Sequence, residues 1–432
     1  MLHERIKRRF DLYDCDFDIK KELIAGVISF FTVVYIIAVN SSILSETGIP
    51  VEAGMVATIA ASVFGCMVMG FWANAPIILV PGMGINALFS YTLVKSIGLC
   101  WQEALAVVFV SGILFTVIAC TPLAEIISES IPHSLKEAIT VGLGLFLTLI
   151  GLEKGGIVIR GTNSILALGH LNNPYVLATV ITLVITIILF IRNVPANFLL
   201  SICLGTIVAI ILGVVNVKEF NGTSFNLNSY GKVFGLMSFS SILSYKFWMS
   251  VFSLTMVLVF ESIGLVHGQL SLLKQPQKYK SSVQSVAVST IVCGVFGTSP
   301  TVPAVESAAG IAAGGKTGIT AIIAGVLFLL SLFFLPVIKI IPGSAIAPVL
   351  VIIGALMLQN VKNIDFGDLS EGIPAFLVIV MIPFTYSISD GIAFGFIAYP
   401  ILKLVLGKAK NVSVPLYIIA CLFLMNFIFS VK

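Results

Sequence analysis

The feature that most limits what this chain can fold into is a succession of apolar runs, each about as long as a bilayer-crossing helix. Crossing the hydrocarbon core in a helix takes about 20 mainly apolar residues. Runs of that kind lie near 23–44, 54–72, 102–120, 134–152, 172–192, 197–216, 248–268, 282–297, 319–338 and 344–360. Hydrophobic residues make up 58% of the 432 and charged ones only 10%, against about 25% charged in a soluble domain. A water-facing globule of this size is therefore excluded. The longest polar connections, 217–247 and 153–171, leave little room for catalysis outside the bilayer. A net charge of +4, scattered along the chain, gives no footprint for nucleic acid. The seven cysteines are widely spaced, form no CxxC pair, and indicate neither a metal site nor a disulfide framework. The N-terminus carries His3, Glu4, Arg5, Lys7, Arg8 and Arg9, with the first long apolar run beginning at Leu23. That is not a cleavable signal pattern.

Between the regular runs lie apolar segments that cannot be ordinary helices. Residues 74–95 contain Pro76, Pro81, Gly82 and Gly84, and residues 297–318 contain Pro300 and Pro303 ahead of a small-residue stretch. Proline lacks the amide hydrogen a helix needs and displaces the residue before it from helical geometry. The run 372–405 is too long for one span and has a polar break at Ser387–Gly391, so it reads as two short spans. The total is then about fourteen. Basic residues favour the cytoplasmic side, which places the N-terminus there. Counting spans puts Lys274, Lys278 and Lys280 inside, and likewise Lys403, Lys408 and Lys410. The apolar run 414–430 is left unassigned.

The two halves are related. Ile131-Pro132-His133-Ser134 opens the fifth span and Ile341-Pro342-Gly343-Ser344 the twelfth, and the broken third segment corresponds to the broken tenth. Seven spans is an odd number, so the second half enters the membrane inverted. The chain is thus expected to divide into a cytoplasmic N-terminus (1–22), a first seven-span repeat (23–216), a connection (217–247), a second repeat (248–406) and a C-terminal apolar segment with its tail (407–432). Paired interrupted helices in corresponding positions are the best sequence pointer to a transporter's binding site.

Acidic residues inside spans are expensive and mark function by default. Glu261 lies in the middle of the eighth span and Glu306 follows the Pro300/Pro303 break, where a half-helix would start. Asn86 is the corresponding polar residue after Pro81-Gly82-Met83-Gly84. Half-helix N-termini favour anions and polar ligands, so these residues outline a site for a small, planar, polar molecule. The competing reading makes the glutamates interhelical partners, for instance of Lys316, and Asn86 helix-to-helix glue. His267 follows Glu261 by six residues and projects from another face, so it reads as interfacial. Asp390 reads as a helix cap. Gly310–Thr317 matches the phosphate-loop pattern GxxxxGK[ST], which has meaning only between a strand and a helix of a soluble α/β domain. Here its glycines, like Gly82 and Gly84, read as points of close backbone approach.

Three stretches resemble the signatures of the nucleobase:cation symporter-2 superfamily. They are Ala75-Pro76…Pro81-Gly82-Met83-Gly84-Ile85-Asn86-Ala87, Phe260-Glu261-Ser262-Ile263-Gly264, and Gly297-Thr298-Ser299-Pro300…Glu306-Ser307-Ala308-Ala309-Gly310. The similarity is nearest to the AzgA-like branch of adenine, guanine and hypoxanthine permeases. Tyr35-Ile-Ile-Ala-Val-Asn40 and Pro383–Gly391 fit as well, and the resemblance runs from about residue 20 to 430. It implies an all-α polytopic fold of fourteen segments in a 7+7 inverted repeat. A core (spans 1–4 and 8–11) would move against a gate (spans 5–7 and 12–14) in elevator fashion. It further implies substrate binding by Asn86, Glu261 and Glu306, with Gly84 and Ser307 beside them. Coupling would be to a proton gradient, with Glu261 and Glu306 as the candidate coupling groups and no cofactor. The expected setting is the cell membrane, multi-pass, with dimerisation through gate helices. Two positions depart from the branch: Phe260-Glu261-Ser262 replaces an aspartate with a glutamate, and Thr301-Val302-Pro303 lacks a tyrosine and hydroxyls beside the site. A carrier of xanthine, uracil or a small organic anion on the same fold is the alternative.

Overall fold

The computed structural model describes residues 18–123, 130–161, 164–215, 230–231 and 233–430. Residues 1–17 of the expected N-terminal segment, and 217–229 of the connection, lie outside the described residues. In chain order the elements are α1 (Ile19–Val33), α2 (Ile36–Ser45), α3 (Val51–Val68), β1 (Leu79–Pro81), α4 (Met83–Ala87), α5 (Trp101–Cys120), α6 (His133–Lys154), β2 (Val158–Ile159), β3 (Ala167–Leu168), α7 (Pro174–Ile191) and α8 (Asn197–Ile211). The second half contributes α9 (Tyr245–Leu273), α10 (Tyr279–Phe296), β4 (Thr301–Pro303), α11 (Ser307–Ala312), α12 (Gly318–Leu330), α13 (Leu335–Ile338), α14 (Gly343–Leu358), α15 (Leu369–Thr385), α16 (Ile388–Val405) and α17 (Val414–Ser430). Among the described residues nine helical stretches are long and apolar enough to cross a membrane, and three shorter apolar helices accompany them.

The two proline-broken segments meet. β1 and β4 pair antiparallel, with Leu79 opposite Pro303, Val80 opposite Val302 and Pro81 opposite Thr301, and all six are buried. Backbone groups without partners are not tolerated at membrane depth, and the pairing satisfies them across its ends. Gly82 N–H donates to Pro300 O (3.2 Å) and Ala304 N–H to Ile78 O (2.8 Å). Helices leave this ribbon at both exits: α4, which continues as a π-helical stretch to Ser96, and α11.

A second symmetric contact joins the two helices opened by the Ile-Pro sequences. In α6 and α14 the equivalent glycines Gly144 and Gly354 face each other: a Cβ on Gly144 would stand 2.7 Å from the Gly354 carbonyl, and one on Gly354 2.3 Å from the Gly144 carbonyl. The run 372–405 breaks at Tyr386, which adopts a left-handed φ of 54°. The cap of α16 is Ser387, whose hydroxyl accepts from Asp390 N–H. Asp390 therefore lies in the first turn and is not itself the cap. Lys403, counted above among interior loop charges, is a buried residue of α16 that pairs with Glu371 at 2.7 Å and Ser370 Oγ at 2.6 Å. The C-terminal run forms α17 and packs on the bundle through Leu416 and Phe423, the latter edge-on to Phe252 and Phe396.

The phosphate-loop lookalike has a structural explanation. Gly310 lies against α1, where a Cβ would stand 1.9 Å from Ser29 Oγ, and Gly314 turns with φ +104°. The amide groups that follow are taken by a carboxylate of the chain itself. Glu22 Oε1 accepts from Lys316 N (2.9 Å) and Thr317 N (3.0 Å), and its Oε2 from Thr320 N (3.2 Å) and Thr320 Oγ1 (2.5 Å). This buried residue fastens the start of α12 to α1. Glu22→Ala would strand those donors, at a cost of about 2–3 kcal/mol. A clear fall in the thermal unfolding midpoint of the detergent-purified protein is expected; an unchanged midpoint would contradict the anchoring role.

Candidate functional site

Glu261 reaches the ribbon from the middle of α9, a helix that packs on β4, α4 and α11. Its Oε1 lies 3.6 Å from where a Cβ on Gly82 would be, and its Oε2 3.8 Å from the corresponding point at Gly84. Glycine is required at residue 82 for close approach, since any side chain there would meet Val302 Cγ2 at 2.5 Å. Glu261 Oε2 is buried and has no hydrogen-bond partner among the described residues. Burying an unpaired carboxylate oxygen is costly, which separates this group from Glu22 with its four donors. Farther along α9, two turns past Glu261, Gln269 Nε2 donates to Ala304 O at 2.6 Å and ties the helix to the end of β4.

The face of α9 carrying Glu261 is uncovered toward the helix C-terminus. Gly264 and Gly268 follow at helical spacing, both are exposed, and a Cβ on either would meet nothing within 4 Å. His267 is exposed and edge-on to Tyr279, as expected of an interfacial residue.

Glu306 precedes α11, at the other exit of the ribbon. Its Oε1 accepts a 2.6 Å hydrogen bond from the Tyr35 hydroxyl, and Tyr35 sits at the break between α1 and α2. Ser307 is fully buried, and its Oγ accepts from Ile78 N–H at 3.0 Å, so it pins the strand entering β1. Asn86 is also fully buried; its Oδ1 accepts from Ser299 Oγ, while its Nδ2 has no partner among the described residues. Asn40 Oδ1, at 3.3 Å, is an alternative acceptor for the same Ser299 hydroxyl, and Asn40 Nδ2 donates to Thr58 Oγ1 (2.8 Å) and Thr298 Oγ1 (3.0 Å).

Of the sequence-derived residues, then, Glu261 and Gly84 are brought together and Ser307 secures the ribbon. Asn86 joins a polar network with Ser299 and Asn40. Lys316 pairs with neither Glu261 nor Glu306 among the described ion pairs, and its backbone serves Glu22. Motif reading left the roles of Tyr35, Asn40, Ser299 and Gln269 unassigned. The available signal was a hydrogen-bonding group in a mainly apolar helix or helix break for Tyr35, Asn40 and Gln269, and in the Pro300 break for Ser299.

A helical membrane protein whose two broken segments pair with each other beside a carboxylate with a buried, unpartnered oxygen has the organisation of a carrier. The family model described as Permease family matches residues 20–394, and the chain belongs to that family, the nucleobase:cation symporter-2 group. It is a transporter and not an enzyme. It is similar to the nucleobase transporter PlAzg2 of Paenibacillus larvae, 50% identical over 88% of this chain and 77% of that one. It is likewise similar to the guanine/hypoxanthine permease PbuO of Bacillus subtilis, 37% identical over 96% of this chain and 99% of that one. Among solved structures, the transmembrane domain of the cyanobacterial bicarbonate transporter BicA shares the fold, with a TM-score of 0.66 at 14% identity, covering 87% of this chain and 98% of that domain.

The two kinds of glycine near Glu261 make opposite predictions. Gly82→Ala overpacks the ribbon against Val302 and is expected to destabilise by about 1–3 kcal/mol. Gly264→Ala adds a methyl group to open space within a helix and should leave the thermal unfolding midpoint unchanged or raise it slightly. Equal effects of the two substitutions would contradict the close approach at Gly82.

Proposed function

We propose that the protein imports purine nucleobases (hypoxanthine, guanine or adenine) across the cell membrane by proton symport, through an elevator-type alternating-access cycle. The observation that carries this reading is the Glu261 carboxylate beside the backbone at Gly82 and Gly84, with its buried Oε2 lacking a hydrogen-bond partner among the described residues. An ionised carboxylate accepts two parallel hydrogen bonds, matching guanine N1–H and N2–H, or one from a hypoxanthine N–H. A protonated carboxyl both donates and accepts, matching adenine N1 and N6–H. Protonation of Glu261 or Glu306 would thereby couple proton and base. The names of the relatives support a nucleobase, and a site centred on carboxylates disfavours an anion.

The architecture proposed is fourteen spans in two inverted seven-span repeats, joined by the 217–247 connection, with the N-terminus cytoplasmic. The antiparallel β1–β4 ribbon and the facing Gly144 and Gly354 are contacts that a two-fold relation between the repeats would generate. Dimerisation through gate helices is part of the proposal. Spans 1–4 and 8–11 would be the core and the others the gate. On one side of the molecule an ion cluster bridges these bodies. Glu46, just past α2, pairs with Lys154 of α6 at 2.6 Å and with Lys95 at 2.5 Å, and Lys154 also donates to Ser42 O at 3.0 Å. This cluster would hold that side shut while the Gly264–Gly268 face of α9 stays open.

Competition uptake with labelled hypoxanthine, guanine, adenine, xanthine and uracil, with and without a proton gradient, tests the reading. Purines should compete and uptake should depend on the gradient; competition by uracil alone would overturn it. Glu261→Gln should abolish gradient-driven uptake, and a variant with wild-type pH dependence and coupling would exclude Glu261 as the coupling group.

The Glu46 cluster makes a pH prediction. Burial opposes ionisation of Glu46, but Lys154 and then Lys95 outweigh it and hold the carboxyl below its ordinary value. The stabilisation is thus fully present above the ordinary carboxylate pKa and is lost as the pH falls through the lowered value of the folded protein. Lys154→Met should therefore lower the thermal unfolding midpoint near neutral pH, with the gap from wild type closing in acid. A gap that is independent of pH would show that the pair contributes no charge-dependent stability.

A further inference from the structure

We propose that Tyr35 is a positioning residue of the binding site, holding the Glu306 carboxylate by one oxygen so that the other reads an N–H donor on the ligand. The inference rests on the reading of Glu306 as a substrate-binding group and adds to it the residue that sets its orientation.

The contrast with Glu22 is the starting point. Glu22 is saturated by four donors and has a structural role. Glu306 has a single side-chain hydrogen bond among the described residues, from the Tyr35 hydroxyl to Oε1 at 2.6 Å. A glutamate has three side-chain torsions, and one strong, charge-assisted bond removes much of that freedom. With Oε1 committed, the ligand meets an acceptor at Oε2 and not a symmetric carboxylate. The complementary ligand edge is a ring N–H, as in the imidazole half of a purine.

Tyr35 is itself held. It lies at the interruption between α1 and α2, is 5% exposed, and packs edge-on against Phe198 of α8 with ring centroids 5.2 Å apart. Phe198 in turn stacks on Phe190 of α7 at 6.2 Å. A helix break, an aromatic brace and a directed hydroxyl therefore converge on one carboxylate oxygen. A tyrosine needed only for packing would not require its hydroxyl at Glu306.

Tyr35→Phe isolates the hydroxyl and keeps the ring. In cells or proteoliposomes with labelled hypoxanthine, the variant is expected to raise KM about tenfold, the equivalent of one hydrogen bond to a charged group. Vmax, expression and the thermal unfolding midpoint should change little, and the pH profile of KM should shift. Discrimination between hypoxanthine and its 7- and 9-methyl derivatives, neither of which has an imidazole N–H, should weaken. In a Glu306→Gln background, where residual ligand binding is measured by calorimetry, Tyr35→Phe should add less than it does alone. If Tyr35→Phe leaves KM, pH profile and discrimination at wild-type values while Glu306→Gln abolishes binding, Tyr35 is a packing residue and the inference fails. If Glu306→Gln binds and transports as wild type, the reading of Glu306 fails instead.

Discussion

A peptide group inside a bilayer has no water to bond, so every interruption of a helix there must find its partners within the protein. The two interruptions around Pro81 and Pro303 resolve each other. Val80 and Val302 lie opposite one another in a ribbon of three residues per strand, and Gly82 and Ala304 close its ends on Pro300 and Ile78. The placement of α4, α11 and the carboxylates near them depends on that ribbon. The cost of breaking two helices is offset by two helix starts brought to one place, and helix starts are where a polar ligand finds unpaired amides.

Three buried or partly buried glutamates show how environment divides a residue type into roles. Glu22 takes four donors and joins two helices. Glu306 takes one, from a tyrosine that is itself braced by an aromatic pair. Glu261 leaves Oε2 without any, against backbone kept bare by glycine. Desolvation penalises all three, and the degree of compensation falls in that order. The least compensated carboxylate has the most to gain from a ligand.

Much of this was legible in the residues. Pro76, Pro81, Pro300 and Pro303 forced the two breaks, and the twin Ile-Pro helix starts marked the two halves as related. Local chemistry was less well resolved. Asp390 reads as a cap because acidic residues cap helices, yet Ser387 stands three residues earlier and the backbone reverses at Tyr386. Lys403 counts as an interior loop charge by composition, whereas it lies buried against Glu371, a partner more than thirty positions away in the chain. Asn86 reads from the sequence as a ligand-facing group, and the network that its Oδ1 joins with Ser299 and Asn40 carries no mark in the local sequence. Contacts between segments distant in sequence leave no local periodicity, so Tyr35 with Glu306 could only be found in three dimensions.

The cradle around Glu22 bears on a wider question, how sequence patterns borrow meaning. The string from Gly310 to Thr317 spells a phosphate loop, and its amides do bind an anion, but the anion is tethered to a helix of the same polypeptide. A free phosphate would compete with a carboxylate at very high effective concentration, already in place. Selection for a tight helix junction and selection for a nucleotide pocket can thus converge on the same letters. What distinguishes them is whether the chain brings its own counter-charge to the amides.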